Sequence, residues 1–199
     1  MHTPSKLATV CVFAGSNGGT KAEYSSAAAS LGRVLAQRKV GLVYGGARVG
    51  LMGALADAAL AEGGRVIGVM PHALVAKEVA HRGLTELRVV NSMHERKAMM
   101  NELADGFVAL PGGWGTLEEF FEVLTWGQLG LHQKPCGLLN IEGYFDGLLA
   151  FVDHSIGEGF VRREYRPMIL VAASPEELLD GMAAYKAPVV QKWIERAQT

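Results

Sequence analysis

Seven short runs of almost unbroken apolar residues punctuate the chain, and longer stretches with helical spacing separate most of them. The runs are LATVCVFAG (Leu7–Gly15), VGLVYGG (Val40–Gly46), RVIGVMP (Arg65–Pro71), ELRVVN (Glu86–Asn91), GFVALPGG (Gly106–Gly113), PCGLLN (Pro135–Asn140) and MILVA (Met168–Ala172). A strand with one face in water alternates apolar and polar residues, whereas one covered on both faces does not. These runs therefore read as strands of a parallel sheet enclosed by helices. Helical spacing falls over Lys21–Arg38, Leu51–Glu62, Met93–Ala104, Leu117–Leu129, Tyr144–Glu158 and Pro175–Tyr185. Strand and helix in alternation imply right-handed crossovers and an α/β fold. The expectation is a Rossmann-like, doubly wound parallel sheet of about seven strands with helices on both faces. No repeat, low-complexity stretch or linker divides the chain, so a single domain is expected over residues 1–199, with its core at 8–185. Residues 188–199 form an amphipathic tail, with Val189, Val190, Trp193 and Ile194 on one side, expected to dock on the chain's own core.

Helix starts are marked by capping chemistry. SPEE (Ser174–Glu177) offers a Ser cap, Pro at the first helical position and Glu at the third. SMHE (Ser92–Glu95) and TLEE (Thr116–Glu119) have the same capping-box spacing, in which the Glu reaches back to the amide of the cap. On that reading Glu119 caps the helix that starts at Leu117, and Glu118 faces solvent or a partner chain.

Ligands of doubly wound sheets bind beyond the carboxyl ends of the strands, and the glycines cluster there. AGSNGG (Ala14–Gly19), YGGARVGLMG (Tyr44–Gly53) and PGGWGT (Pro111–Thr116) follow the first, second and fifth strands. Backbone without side chains can approach a ligand closely, and free amides at a helix N-terminus favour an anion, with phosphate the natural candidate. Neither GxGxxG nor GxxxxGK[ST] is present, which excludes the dinucleotide fingerprint and the P-loop.

A net charge of −1 gives no general basic field for nucleic acid or an anionic membrane, so a phosphate must be met locally. No apolar run is long enough to span a bilayer, and the N-terminus lacks the features of a signal peptide. Cys11 and Cys136 sit in apolar runs without metal-ligand spacing, and a cytoplasmic, reducing location is expected.

Arg96 has Ser92, Met93, Met99 and Met100 as its helical neighbours, so its guanidinium is partly buried and needs an anionic partner, structural or functional. Lys97 reads as solvated, and His94 has no metal-spaced partner. Trp114 is either a packing lid or a stacking face for a base.

Together these segments carry a resemblance. PGGWGTLEE (Pro111–Glu119) resembles the PGGxGTxxE motif of the LOG (Lonely Guy) family of cytokinin riboside 5′-monophosphate phosphoribohydrolases. MHERK (Met93–Lys97) resembles that family's M-x-x-R-K segment, and YGGARVGLMG its second glycine loop. The similarity runs from Val10 to Ala172, with one departure at Ala47, where many members have a third glycine.

The resemblance implies hydrolysis of the N-glycosidic bond of a purine nucleoside 5′-monophosphate, often N6-prenylated, to free base and ribose 5-phosphate. It implies Arg96 and Glu119 as the catalytic pair. Glu78, Lys97, Gly113, Trp114, Gly115, Thr116, Leu117, Glu118, Glu119 and Thr125 match nucleotide-binding positions, with Gly45 and Gly46 in the second loop. From pattern alone Glu78 reads as a solvated loop charge and Thr125 as an ordinary helix residue. A homodimer with a shared site is implied, and no metal or organic cofactor. Glu119 would stabilise an oxocarbenium-like transition state, with the nearby Arg96 charge keeping it ionised. Alternatives are a hydrolase of plain AMP and a non-catalytic protein that binds nucleotide or molybdenum cofactor. The older lysine decarboxylase label attached to the family requires a pyridoxal-phosphate lysine context that the sequence does not display.

Overall fold

Strand β1 (Thr9–Phe13) occupies the middle of the sheet, and the other strands are added outward from it. A computed structural model of the chain describes residues 7–75 and 80–188. β1 pairs in parallel with β2 (Gly41–Tyr44) on one side and β5 (Gly106–Ala109) on the other. β3 (Val66–Pro71) and β4 (Glu86–Val90) extend the sheet beyond β2, and β6 (Cys136–Leu139) and β7 (Ile169–Ala172) extend it beyond β5. The order β4-β3-β2-β1-β5-β6-β7 is the predicted seven-stranded doubly wound sheet, and each strand lies within its predicted run.

Helices α1 (Ala22–Gln37), α2 (Gly50–Ala61) and α7 (Pro175–Ala184) cover one face. Helices α4 (Met93–Leu103), α5 (Trp114–Leu129) and α6 (Asp146–Gly157) cover the other. Strand period two assigns the residues: Val10 and Val12 face the first layer, Cys11 and Phe13 the second, and all are buried. Leu31, Leu35 and Leu55 are fully buried between α1, α2 and the sheet, each contributing about 1.5–3 kcal/mol. These two helices touch so closely that a Cβ on Gly32 would meet the Leu55 carbonyl.

Two serine caps hold, although Glu95 Oε2 accepts the N–H of Asn91, one residue before the cap, at 2.8 Å rather than that of Ser92. Ser92 Oγ accepts the Glu95 N–H at 3.1 Å, and Ser174 Oγ accepts the Glu177 N–H at 3.3 Å. The third does not. Helix α5 begins at Trp114 with Gly113 as its cap, three residues before the predicted start, so Thr116 lies inside the first turn and caps nothing. Its side chain is buried against Gly112, where a Cβ would collide with it. Glu119 is thereby released from capping.

A one-turn helix, α3 (His72–Val75), directly follows β3 and is too short to leave a period in the sequence. Helix α6 starts later than predicted because Ile141–Gly143 forms a 3₁₀ turn with Glu142 at φ 54°. The amphipathic tail from Val189 onward lies outside the described residues. No described helix is long and apolar enough to cross a membrane.

Candidate functional site

The strand order reverses direction at β1 and β5, and the three glycine loops meet at the carboxyl ends there. Gly15 joins them. Its N–H donates to the Pro111 carbonyl of the third loop at 3.1 Å, and its carbonyl accepts the Leu51 N–H of the second at 3.0 Å. Gly50, at φ 59°, lies so close to the Ser16 backbone that no side chain fits. Ala47 is accommodated: it is buried, bridges Ala80 and does not adopt a positive φ.

Arg96 projects from the first turns of α4 into this edge, and its guanidinium is held on three sides. Nε donates to the Val69 carbonyl of β3 at 3.1 Å, and Nη1 donates to Glu119 Oε1 at 2.7 Å. Nη2 runs past Gly45, where an added Cβ would lie 2.5 Å from it. Gly45 is therefore required by the arginine. The two side chains of the pair are 11% and 13% exposed, so the charge predicted to need an anionic partner has found Glu119.

Burial, the largest influence, raises the pKa of Glu119 above the ordinary carboxylate value, while Arg96 opposes it. Arg96 favours the ionised form, as expected, but desolvation outweighs it in the net direction. The carboxylate projects from the second turn of α5, and helical side chains lean towards the N-terminus, here towards the open glycines. A Cβ on Gly113 or Gly115 meets nothing within 4 Å. Gly113 supplies no side-chain cap, so the first turn of α5 presents backbone amides at the positive end of the helix.

Lys97 is not the solvated residue its position suggested. Its side chain is 14% exposed, with Nζ 2.9 Å from Glu122 and 3.3 Å from Glu118. These hydrogen bonds, led by Glu122, raise its pKa. Glu118 is exposed but engaged rather than free. Trp114 is 90% exposed, which removes the option of a lid packed on its own chain. Thr125 stands apart. It lies about 9 Å further along α5 than Glu119 and two-thirds of a turn round it. Its hydroxyl donates to the Phe121 carbonyl, and it lines an apolar groove between α5 and α6. Gly46 adopts φ 79° beneath Leu87 and Met70. Leu117 is partly buried against the α4–α6 layer of the core. Glu78 lies outside the described residues.

Gly15, in the first of the predicted glycine loops, stitches the three together, and two participants were not anticipated: Glu122, which shares Lys97, and Tyr144, whose hydroxyl donates to the Gly112 carbonyl at 2.6 Å. The Glu118–Glu122 spacing is visible in the sequence, but its cation comes from another helix. Among the described residues no cluster of three His, Cys, Asp or Glu is placed to hold a metal ion.

The family model described as "Possible lysine decarboxylase" matches residues 52–182. The chain is 51% identical over 181 residues to a cytokinin riboside 5′-monophosphate phosphoribohydrolase of Rhodococcoides fascians, covering 90% of each chain. It is 46% identical over 185 residues to the Arabidopsis thaliana protein of that name designated LOG1, covering 93% of this chain and 87% of the relative. Among solved structures, the molybdenum cofactor binding protein of Rippkaea orientalis superposes with a TM-score of 0.67 at 22% identity, covering 90% of this chain and 98% of that one. That likeness is one of fold.

Proposed function

The chain belongs to the LOG family of cytokinin riboside 5′-monophosphate phosphoribohydrolases, and on that premise we propose that it hydrolyses the N-glycosidic bond of purine nucleoside 5′-monophosphates, N6-modified adenine nucleotides among them. The products are the free base and ribose 5-phosphate. The observation that carries this reading is the buried Arg96–Glu119 pair beside the uncapped N-terminus of α5.

The 5′-phosphate sits on the amides of the PGGWGT turn, where the helix dipole favours an anion. The ribose then extends towards Glu119. Cleavage of the C–N bond builds positive charge on the sugar, and the Glu119 carboxylate stabilises it and orients the attacking water. Arg96, fixed to Val69 and clear of Gly45, holds the carboxylate in place. Lys97 ties α4 to α5 through Glu118 and Glu122.

Thr125 supports a homodimer with a shared site, because it faces the α5–α6 groove and is turned away from Glu119 of its own chain. Phe151, 64% exposed on α6, lies in the same groove. Light scattering is expected to report two chains, and Phe151→Arg to report one; a monomeric wild type removes the shared site. A cytoplasmic location fits the unpaired cysteines, which sit on β1 and β6 with β5 between them.

The activity is tested by chromatography of AMP, N6-isopentenyl-AMP and the matching nucleosides after incubation with purified protein. Base release from the monophosphates but not the nucleosides is expected. No release from any of the four overturns the proposal.

A further inference from the structure

The carbonyl of Gly112 is held from outside its loop. Tyr144 donates its hydroxyl to it at 2.6 Å. The tyrosine ring is set edge-on against Tyr24, with centroids 5.7 Å apart, and against the buried Phe145 at 5.0 Å. These two rings orient the anchor, which is itself 42% exposed. On its other flank Gly112 is pinned by Thr116 and Gly15, both so close that a Cβ would collide with them.

The peptide joining Gly112 to Gly113 is trans, so its C=O and N–H point in opposite directions. Drawing the carbonyl towards Tyr144 aims the Gly113 N–H the other way. Gly113 is the N-cap of α5, and no atom approaches the place its Cβ would occupy. A peptide between two glycines has little intrinsic preference for one orientation over its flipped form. The tyrosine removes that freedom.

We propose that Tyr144 is a positioning residue that fixes the Gly112–Gly113 peptide and presents the Gly113 amide to the 5′-phosphate of the substrate. It acts through the backbone and does not itself touch the nucleotide. The inference rests on the reading above that the N-terminus of α5 receives the phosphate.

Binding of ribose 5-phosphate, measured by calorimetry on the full chain, separates the two ideas. Y144F is expected to weaken that binding and to raise KM for the monophosphate about three- to tenfold, the loss of one hydrogen bond, with kcat within about twofold of wild type. Equal affinity of Y144F and wild type overturns the positioning role and leaves the phosphate site standing. No binding by wild type overturns both. A second measurement does not depend on the variant folding: in the wild-type chain the Gly113 amide proton is expected to move downfield on addition of ribose 5-phosphate. An amide resonance that does not move overturns the proposal.

Discussion

Glu119→Gln is expected to lower turnover by about 10²–10⁴-fold, the usual cost of losing a general base or a positioned charge. The substitution keeps the size of the side chain and an oxygen for Arg96 Nη1, and removes the negative charge. The fold should survive it, because Gln fills the same space and its amide oxygen still accepts from Arg96; burial, which raises the Glu119 pKa, acts in the same direction. For a carboxyl raised in this way, its stability contribution is fully present below the unfolded pKa. It is lost as pH rises through the higher folded pKa. At neutral pH that contribution is lost, but Glu119→Gln also leaves the nearly buried Arg96 guanidinium without its anionic partner, so the variant is expected to melt below wild type while keeping the fold. Activity runs the opposite way. The acid limb of kcat/KM is expected above the ordinary glutamate range, since turnover falls as Glu119 gains its proton. Full turnover in Glu119→Gln would remove the residue from the mechanism, and an acid limb at an ordinary glutamate pKa would contradict its desolvation.

Gly45→Ala is expected to be nearly as damaging without touching the substrate. The new methyl would lie 2.5 Å from Arg96 Nη2, and the least costly relief is to move the guanidinium, the free end of a long side chain. That movement strains its bonds to Val69 and Glu119. A displacement of about 1 Å at a reacting centre costs on the order of 10² in rate. The melting temperature should change little, because the backbone need not shift. Kinetics and a thermal melt on the same preparation test this. Wild-type kcat/KM in Gly45→Ala would mean that Arg96 does not need its present placement. Unfolding would mean that the glycine serves the backbone rather than the arginine.

The sheet was legible because burial on both faces leaves an apolar run, and each such run proved to be a strand. Caps were legible where the capping residue is a serine. They failed at Thr116, because a threonine three residues before a glutamate looks the same whether it caps the helix or lies in its first turn. The glycines at 113 and 115 obscured that the helix had already begun. Arg96 was readable as a charge in need of a partner, since methionines flank it. Lys97 was not, because what buries it is Glu118 and Glu122 on a helix about twenty residues further on. Tyr144 left no signal, since its role is a single hydroxyl meeting a backbone oxygen 32 residues away.

The central place of β1 has a consequence for synthesis. The ribosome delivers the sheet from its middle, so one edge of its central strand stays open while β2, β3 and β4 are being made. An unpaired apolar edge is a template for another nascent chain. It is closed only when Asp105 emerges, takes the amides of Ala8 and Thr9 on its carboxylate at 3.0 and 2.9 Å, and is followed by β5. Arg96 is made before that closing segment and Glu119 after it, so the ion pair cannot form until the residues that seal the centre of the sheet have been made.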